Sequence, residues 1–247
     1  MTHDGDLQPL YIRWRLSSPW VPPAFGLHFD GLLAWAVVDE AIANGATSGN
    51  YDELLAHLPL ARYETPAGWC WKASYVRPVK VLGSERRHMV AKTPTYMIGR
   101  LEEEMKAQLI ERGLPDKMKG GAAVDTVRGF YKAASFYVPL QHVVALEAYC
   151  VGDPGRISEL LLRVNSIGAK GRIGFGTVAE VRDSNGETAL DFTVAEDEGG
   201  AEGWRYRVLP QVAADEQDRY IPVEARLQPP YWQGTGTHLA YRPIDFA

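Results

Sequence analysis

The sequence predicts an α+β fold, and three observations carry that prediction. Residues 10–43 read as a strand followed by a mostly apolar helix, and residues 142–182 as strand, helix, glycine-rich loop, strand. The 247-residue chain is 46% hydrophobic and 23% charged, an ordinary balance for a domain with a substantial core. No internal repeat at a solenoid period competes with this reading.

Leu10–Leu16 alternates apolar and polar residues, as a half-buried strand does. Ser17–Pro23 is a turn-rich break. Asp30 reads as the N-cap of a helix that runs to Ala43 and stops at Asn44-Gly45. Its apolar residues Leu32, Leu33, Trp35, Ala36, Val37 and Val38 spread over most of its faces, which marks a central helix. A short helix is expected over Tyr51–Leu58, then strand over Trp69–Val81, then a polar, basic loop over Gly83–His88. Met97–Arg112 reads as a charged surface helix ended by Gly113, Pro115–Gly121 as a basic tip, and Asp125–Pro139 as a returning strand. His142–Val151 is a strong strand, and Gly152-Asp-Pro-Gly starts a helix over Arg156–Asn165. Gly176–Arg182 follows as strand, 183–203 as an acidic hairpin end or loop, and 204–209 as resumed strand. The 226–238 tail holds stacking residues but too many breakers for a core element.

Composition excludes several classes. No apolar run is long enough to span a membrane, and no signal-peptide pattern is present, so a cytoplasmic protein is expected. Cys70 and Cys150 are the only cysteines, too few for a disulfide framework or a zinc cluster. No cofactor motif is present. A net charge of −5 argues against a wholly basic nucleic-acid binder, but the charge is uneven. Residues 69–94 hold six Lys/Arg and one Glu, whereas 183–202 hold seven Asp/Glu and no Lys/Arg. Local basic surface decides where a phosphate backbone binds.

The densest motif is Ser166–Val178, with Gly168, Gly171, Gly174 and Gly176 inside nine residues and Lys170 and Arg172 between them. Glycine lets another molecule approach the main chain, and the two cations suit phosphate, one as a point charge and one as a planar fork. The order helix, loop, strand excludes a Rossmann fingerprint or a P-loop, which run strand, loop, helix. At a helix C-terminus the dipole repels phosphate, so Lys170, Arg172 and backbone N–H groups would have to supply the attraction. A glycine-rich turn and bulge before an edge strand is the competing reading.

These residues resemble the glycine-rich loop of the CRISPR-associated RAMP proteins, ferredoxin-like proteins that process or hold CRISPR RNA. The similarity is strongest from Lys170 to Gly176 and looser over 8–45; Ala169 departs from the second glycine of many members. It implies a single ferredoxin-like RAMP domain over 1–247 with a thumb-like insertion at 95–137 and the acidic loop at 183–203. Gly168, Lys170, Gly171, Arg172, Gly174, Phe175 and Gly176 are then expected to meet RNA. Arg77, Lys80, Arg86, Arg87 and His88 join them, because cations between aromatics suit single-stranded nucleic acid. An ordinary hairpin with its aromatics in the core explains that segment equally well. Arg128, Tyr131 and Lys132 would point at RNA from the thumb.

No metalloprotease, hydrolase or kinase motif appears, and no catalytic set is assigned. His28 is the one candidate: in RNA-processing RAMP proteins a histidine near the first helix serves as general acid or base. A lone histidine at a helix start more simply packs there. The resemblance is closest to the subunit of a class 1 effector complex that holds the five-prime handle of CRISPR RNA, in its type IV (Csf) version. The expected partners are CRISPR RNA and the backbone and large subunits, with target DNA nearby. The alternatives are a RAMP endoribonuclease using His28, and a backbone subunit tiling the spacer RNA.

Overall fold

In the computed structural model, the described residues are 7–46, 51–91, 100, 103–104, 134–182, 187–197, 202–231 and 236–245. They form a mixed α+β structure with antiparallel sheets. The chain divides into two compact units, one of residues 1–84 with 140–247 and one of residues 85–139.

The centre of the first unit is a four-stranded sheet. It comprises β1 (Gln8–Trp14), β4 (Arg77–Pro78), β7 (Leu146–Gly152) and β10 (Phe192–Glu196), in the order β10-β1-β7-β4. The register opposes Leu10 to Cys150, Ile12 to Ala148 and Trp14 to Leu146, so period-two alternation sends all six to one face. There they are buried with Leu32, Leu33 and Ala36 of α1 (Phe29–Ala43) and Ile157, Leu160 and Leu161 of α3 (Pro154–Leu161). Both helices therefore cover the same sheet face. Arg156 pairs with Glu40, and Arg163 donates to Asp39 at 3.0 Å, tying α3 and the turn after it to α1. Asp153 caps α3 by accepting from the N–H groups of Gly155 and Arg156, with Pro154 in the first turn where its missing N–H costs nothing.

A second core cluster joins the hairpin of β2 (Arg62–Thr65) and β3 (Gly68–Trp71) to the C-terminal part of the chain. Cys70 and Tyr75 pack there with Trp204, Val208, Leu209, Val212, Leu227 and Ala240. The hairpin of β11 (Tyr220–Ala225) and β12 (His238–Pro243) closes it.

Several expectations change. The run 69–81 is divided: β3 turns back on β2, Ala73 makes a single bridge to Cys150 of β7 and Tyr75 one to His28, and β4 then pairs with β7 as the sheet's edge strand. Trp71 and Tyr75 are buried, so the hairpin reading of those aromatics prevails. The basic segment 83–88 is no loop but part of β5 (Val81–Ala91), which pairs with β6 (Ala134–Val143). The strand expected at 176–182 makes only bridges at Thr177 and Val178 before Glu180–Arg182 (β8) pairs with Thr188–Leu190 (β9). Val178 meets Leu16 just past the end of β1, with Ser17 N–H donating to Thr177 O and Ala179 N–H to Arg15 O, so this short pairing continues beyond β1 rather than along it. The fourth sheet position falls to β10, inside the stretch expected to be an acidic loop. Residues 204–209 form a 3-10 turn and one bridge, not a strand. The short helix covers only Asp52–Leu55 (α2), and α3 starts at Pro154 and ends at Leu161. His28, not Asp30, holds the N-cap position of α1, without a side-chain capping bond; Asp30 lies in the first turn, turned into the interior, where it accepts from the Gly31 N–H. Of the helix expected over 97–112, Arg100, Glu103 and Glu104 are described and helical; the 115–121 tip and residues 125–133 lie outside the described residues.

Candidate nucleic-acid interface

The glycine loop is fastened twice. At its base Ser166 bridges Thr177, the Ile167 N–H donates to Gly176 O at 2.8 Å, and the Val178 N–H donates to Asn165 O at 2.9 Å. Along its side lies the break after β1. The Ser17 N–H donates to Thr177 O, Gly176 N–H to Pro19 O and Ala169 N–H to Val21 O, at 2.8–2.9 Å, and the Ser18 hydroxyl accepts from Thr177 N–H. Between these fastenings the chain makes a 3-10 turn over Gly171–Ile173.

The glycines are required by this geometry. Gly168 and Gly176 have φ of 102° and 64°. A Cβ on Gly168 would lie 2.7 Å from Val21 O and against the Trp20 ring, and one on Gly176 would strike the Ile167 carbonyl. Lys170 has φ 67°, the one non-glycine residue with positive φ among those described. That conformation is uncommon outside glycine, asparagine and aspartate, so the surrounding bonds hold Lys170 in a local strain. Lys170, Arg172, Ile173 and Gly174 are exposed, whereas Phe175 is 7% exposed and packs inward. The loop is also farther from the helix than its sequence suggests. α3 ends at Leu161, and the dipole acts mainly within the last turn, so it opposes an anion at Lys170 only weakly.

The other candidate residues lie elsewhere. Arg77 donates to Glu147 at 2.8 Å and sits over the Tyr149 and Tyr206 rings, at the wall of a cleft of about 450 Å³. Lys80 is exposed after β4. Arg86, Arg87 and His88 are exposed on β5, in the second unit; Arg87 donates to Glu85, and the His88 ring contacts Ser135 and Tyr137. Arg128, Tyr131 and Lys132 lie outside the described residues.

His28 is buried. Its ring stacks on Tyr231 at 4.4 Å and tilts against Tyr75 at 4.0 Å, and its Nδ1 has no hydrogen-bond partner among the described residues. Burial, then the neighbouring Arg207 charge, hold it well below the ordinary histidine range. Beside it is a centre that the sequence did not reveal. Arg207 is fully buried and donates to Asp30 Oδ2 (3.2 Å), to the carbonyls of Trp71, Ala73, Leu227 and Val208 (2.6–3.0 Å), and to Tyr231 Oη (3.0 Å). Tyr231 in turn donates to Asp30 Oδ2 at 2.6 Å. Burial pushes the Tyr231 phenol well above its usual range, which keeps that donor in place. Burial also raises the Cys70 and Cys150 thiols, so neither is an activated nucleophile.

The buried histidine yields a pH prediction. The unfolded chain takes up a proton at His28 near pH 6.5 while the folded chain does not, so stability is complete above that pH and falls below it. The expected slope is about 1.4 kcal/mol per pH unit. His28→Phe keeps the stack and should flatten unfolding free energy between about pH 6.5 and 5 by that amount; equal slopes in the two proteins would refute the linkage.

Among the described residues, no group of three or more His, Cys, Asp or Glu is placed to hold a metal ion, and no helix is long and apolar enough to cross a membrane. What these features define is an α+β protein that presents a fastened, cationic, glycine-rich loop. Comparison with known families gives the particular placement: residues 8–243 match Csf3, CRISPR type IV associated protein, and the chain belongs to that family. No curated protein matches it.

Proposed function

We propose that the chain is a non-catalytic RNA-binding subunit of a type IV CRISPR effector complex, holding the five-prime handle of CRISPR RNA and capping the filament of backbone subunits. The observation that carries this reading is the glycine loop, whose two cations, Lys170 and Arg172, are exposed on a backbone fastened to the first unit's core. The strand order β10-β1-β7-β4, with both helices on one face, supports a ferredoxin-like RAMP fold. Lys80 in the first unit, and Arg86, Arg87 and His88 in the second, are further proposed RNA contacts, each within its own unit, while Phe175, being buried, supports the loop from within. A buried His28 with a depressed pKa is a poor general acid, which supports the non-catalytic part.

The test is a salt titration of binding to a labelled single-stranded RNA carrying the repeat of the protein's own CRISPR array. Lys170→Ala/Arg172→Ala should lower affinity about tenfold or more at low salt and flatten the log–log slope by about 0.7 per lost phosphate contact. The melting temperature should stay unchanged, because both side chains are exposed. Unchanged affinity and slope would overturn the reading, and cleavage of the RNA at one position would overturn its non-catalytic part.

A further inference from the structure

The segment fastened along the glycine loop carries an unusual residue. Phe25 is 88% exposed, the most exposed of the large apolar side chains described. It follows Pro22 and Pro23 and lies in a turn closed by the Gly26 N–H donating to Pro23 O at 3.1 Å, with Gly26 at φ 75°. Two prolines and a closed turn make this tip stiff, so a ligand seated on the ring orders little chain. Leaving the ring in water forgoes the stabilisation of burying it in the free protein.

Its position gives the exposure a meaning. Val21 O accepts from Ala169 N–H, next to Lys170, and Phe25 is four residues beyond Val21. The Phe25 and Val21 Cα atoms are therefore within about 14 Å of each other, and the turn shortens that span. On the loop side Ile173 is 52% exposed beside Arg172. An exposed aromatic ring thus belongs to the segment bonded to the loop beside Lys170, and an exposed apolar side chain follows Arg172 in the chain.

We infer that Phe25 is a stacking platform for an unpaired RNA base next to the phosphates held by Lys170 and Arg172. This rests on the proposed RNA-binding role of the loop. An aromatic face with neighbouring cations matches the two parts of a single-stranded nucleotide, π-face and phosphate, and every base offers such a face. A base stacked inside a duplex would not expose its face to the ring.

The test uses the purified full chain and two labelled single-stranded RNAs, the array repeat and the same strand with abasic sites. Phe25→Ala should weaken binding to the repeat about five- to a hundredfold. Salt slope and melting temperature should not change, since no phosphate contact or packing is lost. Phe25→Trp should bind at least as well as the parent, and on the abasic strand all three proteins should bind alike. Parent-like binding of the repeat by Phe25→Ala overturns the inference, as does an equal loss on the abasic strand. A defect confined to co-purification of other subunits also overturns it, assigning Phe25 to a protein contact. Lys170→Ala/Arg172→Ala run in parallel separates the two ideas: if that variant loses affinity while Phe25→Ala does not, the loop reading stands and the stacking role fails. If neither has an effect, both fail.

Discussion

Arg207→Met should lower the unfolding free energy by about 3–5 kcal/mol, read from a urea titration of purified protein. The guanidinium is buried with Asp30 and bonds four main-chain carbonyls from three parts of the chain. Removing it strands the Asp30 carboxylate in the interior, where burial already pushes its pKa up against the pull of Arg207. Lysine should rescue poorly, because three donors on one point charge cannot replace a five-donor fork. Asp30→Leu with Arg207→Met should recover part of the loss, since it removes the stranded charge. A cost below about 1 kcal/mol for Arg207→Met would mean that the network does not hold the C-terminal segment to the core.

Gly176→Ala should be the second large loss, about 3 kcal/mol or more, and Gly174→Ala a much smaller one. Both glycines have positive φ, 64° and 87°, so each substitution bears the left-handed cost of about 1–2 kcal/mol. They differ in what a Cβ meets. At Gly174 nothing lies within 4 Å, whereas at Gly176 the Cβ strikes the Ile167 carbonyl. The two segments cannot simply move apart, because the Ile167 N–H is bonded to Gly176 O and the Gly176 N–H to Pro19 O. Thermal melts should separate the two variants by several degrees, at about 2–4 °C per kcal/mol for a chain of this size. Equal melting temperatures would show that the loop base is looser than its bonds suggest.

The candidate loop was legible in the sequence because glycine spacing and intervening cations are local signals. Its partner was not. Ser17–Pro23 reads as a break, and only the tertiary bonds from Pro19 and Val21 make it a wall of the loop. Phe25 was overlooked for the same reason, since exposure of one aromatic is a property of the folded surface. His28 was singled out by its place before a helix, and burial between two tyrosines gives it a packing role.

β1, α1, β7 and α3, and with them the α+β class, follow from local pattern, because each carries its own periodicity, cap or breaker. So do the glycine loop and its cations. Long-range contacts alone set which strand fills the sheet's open edge, that 83–88 is strand, and that 204–209 is not. Alternation in Trp204-Arg-Tyr-Arg-Val-Leu signals a strand when Arg207 is assumed to face water. In the fold Arg207 faces inward, because Asp30, 177 residues away along the chain, supplies the opposite charge that makes its burial tolerable. Pairings of that kind depend on three-dimensional proximity, which no local pattern encodes.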